Sequence, residues 1–285
     1  MKILLAVDAS EASETAARQV AARPWPTGTT VEVLSVAEPP FIRHLPELDA
    51  GVKQRAEELA RGVAERLRSG GVEAAPLVLS GDPKAVIVEH AAQMGADLVV
   101  VGPHGSAGLT RFLLGSVAKA VVRFAPCSVE VARAPREAGP HPWRVLLATD
   151  GSECSVKAAR TVAARPWPSG TEVRILSVVE LAVPMLQPPY PTPAVETLRS
   201  DGMKRAQDAI QEAEQMVTDA GLQVSEAVSV LLDTPKVIIL DEASHWGADW
   251  IVLGSHGRRG INRFLLGSVS EAVALHATCS VEVVR

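Results

Sequence analysis

Cysteine, surplus positive charge and long apolar runs are all scarce in this chain, and each scarcity removes a class of protein. Its three cysteines cannot close a disulfide framework, which argues against a small cross-linked secreted fold. Lys and Arg number 28 against 33 Asp and Glu. Neither half is basic, so nucleic acid and anionic membranes are not expected as partners. The first apolar stretch, Met1 to Val7, is interrupted at Asp8, too soon for a secretory leader or a membrane span. The expectation is a cytoplasmic protein with no membrane contact. Walker-type G-x4-G-K-S/T is absent, as are SGGxDS, HIGH and KMSKS, which lowers any reading as a P-loop enzyme or a synthetase.

What the chain does have is enough apolar material to fold: 47% hydrophobic and 21% charged residues over 285 positions. That length exceeds a comfortable single core, and half of it still suffices for one. The halves are copies. KILLAVDAS from Lys2 returns as RVLLATDGS from Arg144, an offset of 142, and AARPWPTGTTVEVLSV returns as AARPWPSGTEVRILSV. Later, RFLLGSV from Arg111 recurs from Arg263 and CSVEV from Cys127 recurs from Cys279, so the offset has grown to 152. Most of the extra length falls in LAVPMLQPPYPTPAV, where Pro184, Pro188, Pro189, Pro191 and Pro193 point to a loop. APREAGPHP, residues 134–142, reads as the linker. The domains are expected at 1–137 and 138–285.

Within each copy, short apolar runs alternate with segments of helical period, the signature of βαβ units and an α/β fold with a parallel sheet. ILLAV and DLVVV lack polar alternation, as strands covered on both faces do. Strands are predicted near 2–7, 30–36, 73–79, 97–101 and 128–132, about five per copy, with helices between them. Ser10 and Ser152 are predicted to cap the first helix of each copy. In the next helix Leu48, Val52, Ala56, Leu59, Val63 and Leu67 fall on one stripe. Cys127 and Cys279 read as small buried hydrophobes, Cys154 as a helix-start residue, and Trp25 and Trp167 as packing groups far from any site.

The chemistry-bearing motif occurs twice. Gly102-Pro-His-Gly105 is followed nine residues later by Gly115-Ser116, and Gly254-Ser-His-Gly257 by Gly267-Ser268, a G-x2-G-x9-G-S pattern. Glycines after a strand let the backbone turn sharply and approach a ligand, with N–H groups free for anionic oxygens. The Gly-Ser pair then opens a helix, whose unpaired N–H groups and dipole favour phosphate. Strands in parallel share one carboxyl edge, which places Asp8 and Asp150 beside these loops, suited to ribose hydroxyls or a metal ion. His104 and His256 read as phosphate neighbours or solvated side chains. Neither has a metal-ligand spacing with another residue. Arg111 and Arg263 reach either phosphate or solvent.

These residues resemble the universal stress protein family in its tandem form. The resemblance covers essentially the whole chain and rests on LLAVDAS and LLATDGS, both G-x2-G-x9-G-S loops with Gly108 and Gly260, and the closing strands CSVEVAR and CSVEVVR. It implies two Rossmann-like domains of the adenine nucleotide alpha hydrolase-like kind, ATP with or without Mg as cofactor, and a stress-response role, with no known reaction. By position, Asp8 and Asp150 would meet the ribose or metal. Val36 and Val178 would offer backbone atoms to adenine. Gly102, Gly105, Gly115 and Ser116, with Gly254, Gly257, Gly267 and Ser268, would hold the phosphates. The resemblance further implies pairing of the domains through the closing strands 127–133 and 279–285, with a homodimer as a further step.

Two departures from the family pattern stand out: Ala9 replaces the usual glycine after the first Asp, where the second copy keeps Gly151, and Asp233 replaces Gly81. Arg258 and Arg259 stand where the first loop has Ser106 and Ala107, and favour a triphosphate at the second loop. The leading expectation is a regulatory binding protein that responds to ATP. The alternatives are a slow ATPase or phosphotransferase, for which no catalytic residue is evident, and a scaffold with no nucleotide that acts through assembly.

Overall fold

The computed structural model describes residues 1–38, 46–105, 114–134, 142–179, 192–231, 234–258 and 266–285. The linker core 135–141, most of the proline-rich insertion, and Ser106, Ala107, Gly108, Arg111, Asp233, Arg259, Gly260 and Arg263 lie outside the described residues.

The first copy runs β1 (Lys2–Val7), α1 (Glu11–Ala22), β2 (Thr30–Ala37), α2 (Pro46–Ser69), β3 (Glu73–Ser80), α3 (Pro83–Met94), β4 (Leu98–Val101), α4 (Ser116–Phe124) and β5 (Ser128–Val131). The second repeats it as β6 (Arg144–Ala148), α5 (Glu153–Ala164), β7 (Glu172–Val179), α6 (Thr192–Asp219), β8 (Gln223–Leu231), α7 (Pro235–Trp246), β9 (Trp250–Gly254), α8 (Ser268–His276) and β10 (Ser280–Val284). The strands line up as β3-β2-β1-β4-β5-β10-β9-β6-β7-β8 in one sheet. Pairs within each copy are parallel. β5 and β10 pair antiparallel, with Glu130 opposite Glu282. Each half therefore reverses strand order between its first and fourth strands, and a crevice opens at the carboxyl ends there.

Local chemistry explains the helix starts and stops. The Ser10 and Ser152 hydroxyls accept from the backbone N–H of Ser13 and Ser155 and cap α1 and α5. Asp82 caps α3 with Pro83 behind it, and Gly95 closes that helix in the left-handed region at φ +63°. Helix α6 begins at Thr192, so the proline-rich segment ends earlier than its composition suggests. Pro193 sits in the first turn of that helix, where a missing N–H costs nothing.

The strands carry the core. Leu4, Leu34, Val99, Leu146, Leu176 and Ile251 belong to one cluster that continues across both halves beneath α3, α4, α7 and α8. On the other face the apolar residues divide into one cluster with α1 and α2 and another with α5 and α6. A fully buried leucine contributes about 1.5–3 kcal/mol, so these strands are the main stabilising element. Along the α2 stripe, Ala56, Val63 and Leu67 are buried and Leu59 packs against the core, while the Leu48 side chain lies outside the described set. Cys279 is buried. Cys127, at the matching position before β5, is only half-buried, so the expectation of a buried thiol holds in the second copy alone. Trp25 and Trp167 pack as structural groups, donating to the carbonyls of Val20 and Val162 at 2.8 and 2.7 Å.

Candidate functional site

Gly102, just after β4, and Gly254, the last residue of β9, stand where backbone passes too close for a side chain. A Cβ on Gly102 would stand 2.9 Å from the Ala12 carbonyl carbon, and one on Gly254 would stand 2.6 Å from that of Cys154. The end of the fourth strand in each copy is thus pressed against the first turn of α1 or α5. The second glycine of each loop has a different neighbour. A Cβ on Gly105 would meet Asp8 Oδ2 at 2.9 Å, and one on Gly257 would meet Asp150 Oδ2 at 2.6 Å.

The two aspartates are fixed by their own turns. Asp8 Oδ1 accepts from the Ser10 N–H at 3.1 Å and from the Ser10 hydroxyl at 2.5 Å, while the Asp8 N–H donates to Ser13 Oγ at 3.0 Å. Asp150 Oδ1 accepts from the Ser152 N–H at 3.0 Å, and its Oδ2 accepts from the Arg258 N–H at 3.0 Å. Ser10 and Ser152 also reach the carbonyls of His104 and His256, both at 3.2 Å. The helix cap, the carboxylate and the loop backbone form one connected unit in both copies.

Gly115 and Gly267 occupy the N-cap positions of α4 and α8 without a side-chain cap bond, and Ser116 and Ser268 are the first helical residues. The N–H of each glycine donates back to its loop, Gly115 to Pro103 at 2.7 Å and Gly267 to Ser255 at 2.8 Å. The following N–H groups are those that an α-helix leaves without intrahelical partners. The structure therefore brings Asp8, Gly102, Gly105, Gly115 and Ser116 to one edge, and Asp150, Gly254, Gly257, Gly267 and Ser268 to the matching edge of the other copy. Val36 lies near the carboxyl end of β2 and Val178 near that of β7.

In the second copy these groups surround a cavity of about 620 Å³, lined by Asp150, Val178, Gly254, Gly257, Gly267 and Ser268. Arg205 of α6, together with His256 and Arg258, also lines it. Arg205 escaped the sequence reading because nothing in a helical stretch marks which face meets a distant strand end. Burial, then the nearby Arg285 cation, lowers the His256 imidazole below its ordinary value of 6.5. Its Nδ1 is 3.0 Å from Ser255 Oγ, and its buried Nε2 has no hydrogen-bond partner among the described residues. Among the described residues no group of three or more His, Cys, Asp or Glu is placed to hold a metal ion. Among them, too, no helix is long and apolar enough to cross a membrane.

Two further charged residues were missed. Glu130 and Glu282, in the middle of apolar closing strands, are fully buried, with Arg23 donating to the first at 2.8 Å and Arg165 to both oxygens of the second. The signal was present: a Glu inside S-V-E-V and an Arg in A-A-R-P-W-P recur together in both copies.

A five-strand order reversing between its first and fourth strands, with a glycine loop and a first-strand aspartate meeting at the reversal, defines a tandem Rossmann-like α/β protein. The universal stress protein family matches the chain twice, over residues 1–133 and 143–285, and the chain belongs to that family. Universal stress protein Rv2005c of Mycobacterium tuberculosis is 34% identical over 191 residues, 64% of this chain and 59% of that protein. Universal stress protein MJ0531 of Methanocaldococcus jannaschii is 38% identical over 86 residues, 30% of this chain and 51% of that one. The crystal structure of a universal stress protein from Archaeoglobus fulgidus covers 100% of this chain and 96% of its own at TM-score 0.68 and 21% identity, a likeness of fold.

Proposed function

We propose that this tandem universal stress protein binds an adenine nucleotide, ATP with or without Mg, at the carboxyl edge of each copy, and serves as a cytoplasmic stress-response regulator rather than as an enzyme. The reading divides the chain at about residue 138, into 1–137 and 138–285, and treats the antiparallel β5–β10 pairing as the internal association of the two domains. The observation that carries it is the cradle at Gly257, where a Cβ would stand 2.6 Å from Asp150 Oδ2 beside a cavity of about 620 Å³. Cavities of about 300–1,000 Å³ suit small ligands and cofactors.

Each group has a physical task. The N-termini of α4 and α8, with the Ser116 and Ser268 hydroxyls, supply donors and positive dipole ends for phosphate. Gly105 and Gly115, and Gly257 and Gly267, keep side chains out of the path of the phosphates, while Gly102 and Gly254 hold the phosphate loop against the first turn of α1 and α5. The Asp8 and Asp150 carboxylates accept from ribose hydroxyls or ligate a metal ion, and the main chain at Val36 and Val178 reads adenine. Arg205 and Arg258 add positive charge at the second cavity, which favours the more highly charged nucleotide. Bound ATP supplies charge and contacts that favour one conformation over another, which is how occupancy becomes a signal.

Calorimetric titration of nucleotide-stripped protein with Mg-ATP tests this. Two nucleotides per chain, lost in a Gly105→Val, Gly257→Val double variant, is the expected result. Absence of binding by ATP, ADP, AMP and cyclic AMP alike would overturn it.

A further inference from the structure

Arg133 and Arg285 follow the two closing strands at matching repeat positions, and each side chain crosses the join into the other half. Arg285 donates from Nη2 to the carbonyls of Val122 at 2.7 Å and Arg123 at 3.1 Å, in the last turn of α4. Arg133 donates from Nη2 to the Ala274 carbonyl at 2.6 Å, in the last turn of α8, and from Nη1 to Cys279 at 3.2 Å. The last carbonyls of a helix lack intrahelical donors and form the negative end of its dipole, so a guanidinium there both satisfies and anchors them. α4 and α8 are the same two helices whose first residues face the glycine loops. Nine residues span only about 13.5 Å, so each helix is a short rod with its phosphate end at its own loop and its other end held by the opposite copy.

The two links differ at the loop. The Val284 carbonyl, one residue before Arg285, accepts from the Ser255 N–H at 2.7 Å, inside the second glycine loop. The matching position in the first loop is Pro103, which has no N–H, so the Ala132 carbonyl beside Arg133 has no such donor. A continuous path therefore runs from the second loop through Ser255, Val284 and Arg285 to α4, and the mirror path through Arg133 lacks its first bond.

We infer that the two nucleotide sites are coupled across the join, with Arg285 the positioning residue that relays occupancy of the second loop to α4. The inference rests on the nucleotide-binding reading above. A ligand that draws in the second loop shifts the Ser255–Val284 contact, and the arginine carries that shift to the rod whose far end lies at Gly115. Coupling free energy is reciprocal, so the first site influences the second equally.

Hydrogen–deuterium exchange on the full chain carrying Gly105→Val, where only the second loop is intact, tests the relay. Mg-ATP is expected to slow exchange several-fold at α8, by direct binding, and also at α4. Adding Arg285→Gln is expected to keep the protection at α8 and remove it at α4, whereas Arg133→Gln leaves both. Arg285→Lys, expected to retain part of the α4 protection, carries the test if the glutamine variant fails to fold in a thermal melt. Protection at α8 with none at α4, or α4 protection that survives Arg285→Gln, overturns the relay. No protection at α8 overturns nucleotide binding itself and the coupling with it.

Discussion

Glu130 and Glu282 stand directly opposite each other where β5 meets β10, both fully buried, each held by an arginine from its own copy. Like charges opposite one another in an antiparallel pair are destabilising, and burial without partners would make the cost prohibitive. Arg23 and Arg165 offset it, and the Arg23 guanidinium also lies 4.0 Å from the Trp25 ring centroid and 5.2 Å from that of Trp250. Trp250 comes from the second copy, so this cluster ties the first half to the second by more than strand pairing. The arrangement interrupts the apolar packing on this face, which is why the clusters under α1–α2 and α5–α6 are separate.

Removing one partner of such a pair leaves an uncompensated buried charge. Arg165→Met is expected to lower stability by roughly 3–5 kcal/mol, and Arg165→Met with Glu282→Leu to restore most of that loss. Urea denaturation of the three proteins measures it. A single variant as stable as the parent would mean that the pair is hydrated in solution.

Gly254→Ala and Gly257→Ala should behave differently although they lie in one loop. The first forces a methyl against the backbone of Cys154 and Ser155 and is expected to cost about 1–3 kcal/mol of stability. The second meets the Asp150 carboxylate rather than backbone, so a methyl there displaces Oδ2 and its bond from the Arg258 N–H, and the stability cost should be smaller while Mg-ATP affinity falls. Thermal melts and calorimetry separate the two. Equal effects on both readouts would contradict the separate roles given to these glycines.

Ser10→Ala removes the α1 cap together with the bridges to Asp8 and the His104 carbonyl. A loss of about 0.5–2 kcal/mol is expected. Ser10→Asp, which can still cap but adds charge beside Asp8, should recover less than an N-cap exchange normally does. Full recovery in denaturant titration would show the Asp8 bridge to be unimportant.

Burial pushes the Cys127 thiol up to about 11 and the Cys279 thiol up to about 12. The reactive form is the thiolate, so both should resist iodoacetamide at about pH 8 in the native protein and react in denaturant. Mass mapping of the alkylated peptides decides it. Rapid native labelling of Cys279 would place that residue outside the core.

Because the folded-state pKa of His256 lies below 6.5, the unfolded chain takes up a proton as pH falls past 6.5 before the folded chain does. Stability is therefore higher above that value and declines as pH drops toward the folded pKa. Compared with His256→Gln, the parent protein should lose melting temperature between about pH 7.5 and 5.5. A relative gain on acidification would mean that the folded site prefers the imidazolium.

The repeat, the alternating strands and helices, the serine caps and both glycine loops were all legible in the sequence because each is local. A cap needs residues within three positions, and the glycine loops stand out by their repeated spacing, although the reason for Gly102 and Gly254, the backbone of α1 and α5 passing beside them, is a tertiary one. Even the meeting of Asp8 and Asp150 with their loops followed from one topological fact, the shared carboxyl edge of parallel strands. What only the tertiary structure decided depends on residues far apart in the chain. Arg205 reaches the second cavity because α6 crosses its edge, Arg285 caps α4 because β10 runs against β5, and the four charges Arg23, Glu130, Arg165 and Glu282 become a cluster only when the two copies share a sheet. Chain order carries no distance between such residues. Strand register and helix packing across the join set it, and there the free energy of burying charge depends on the partner that the other element supplies.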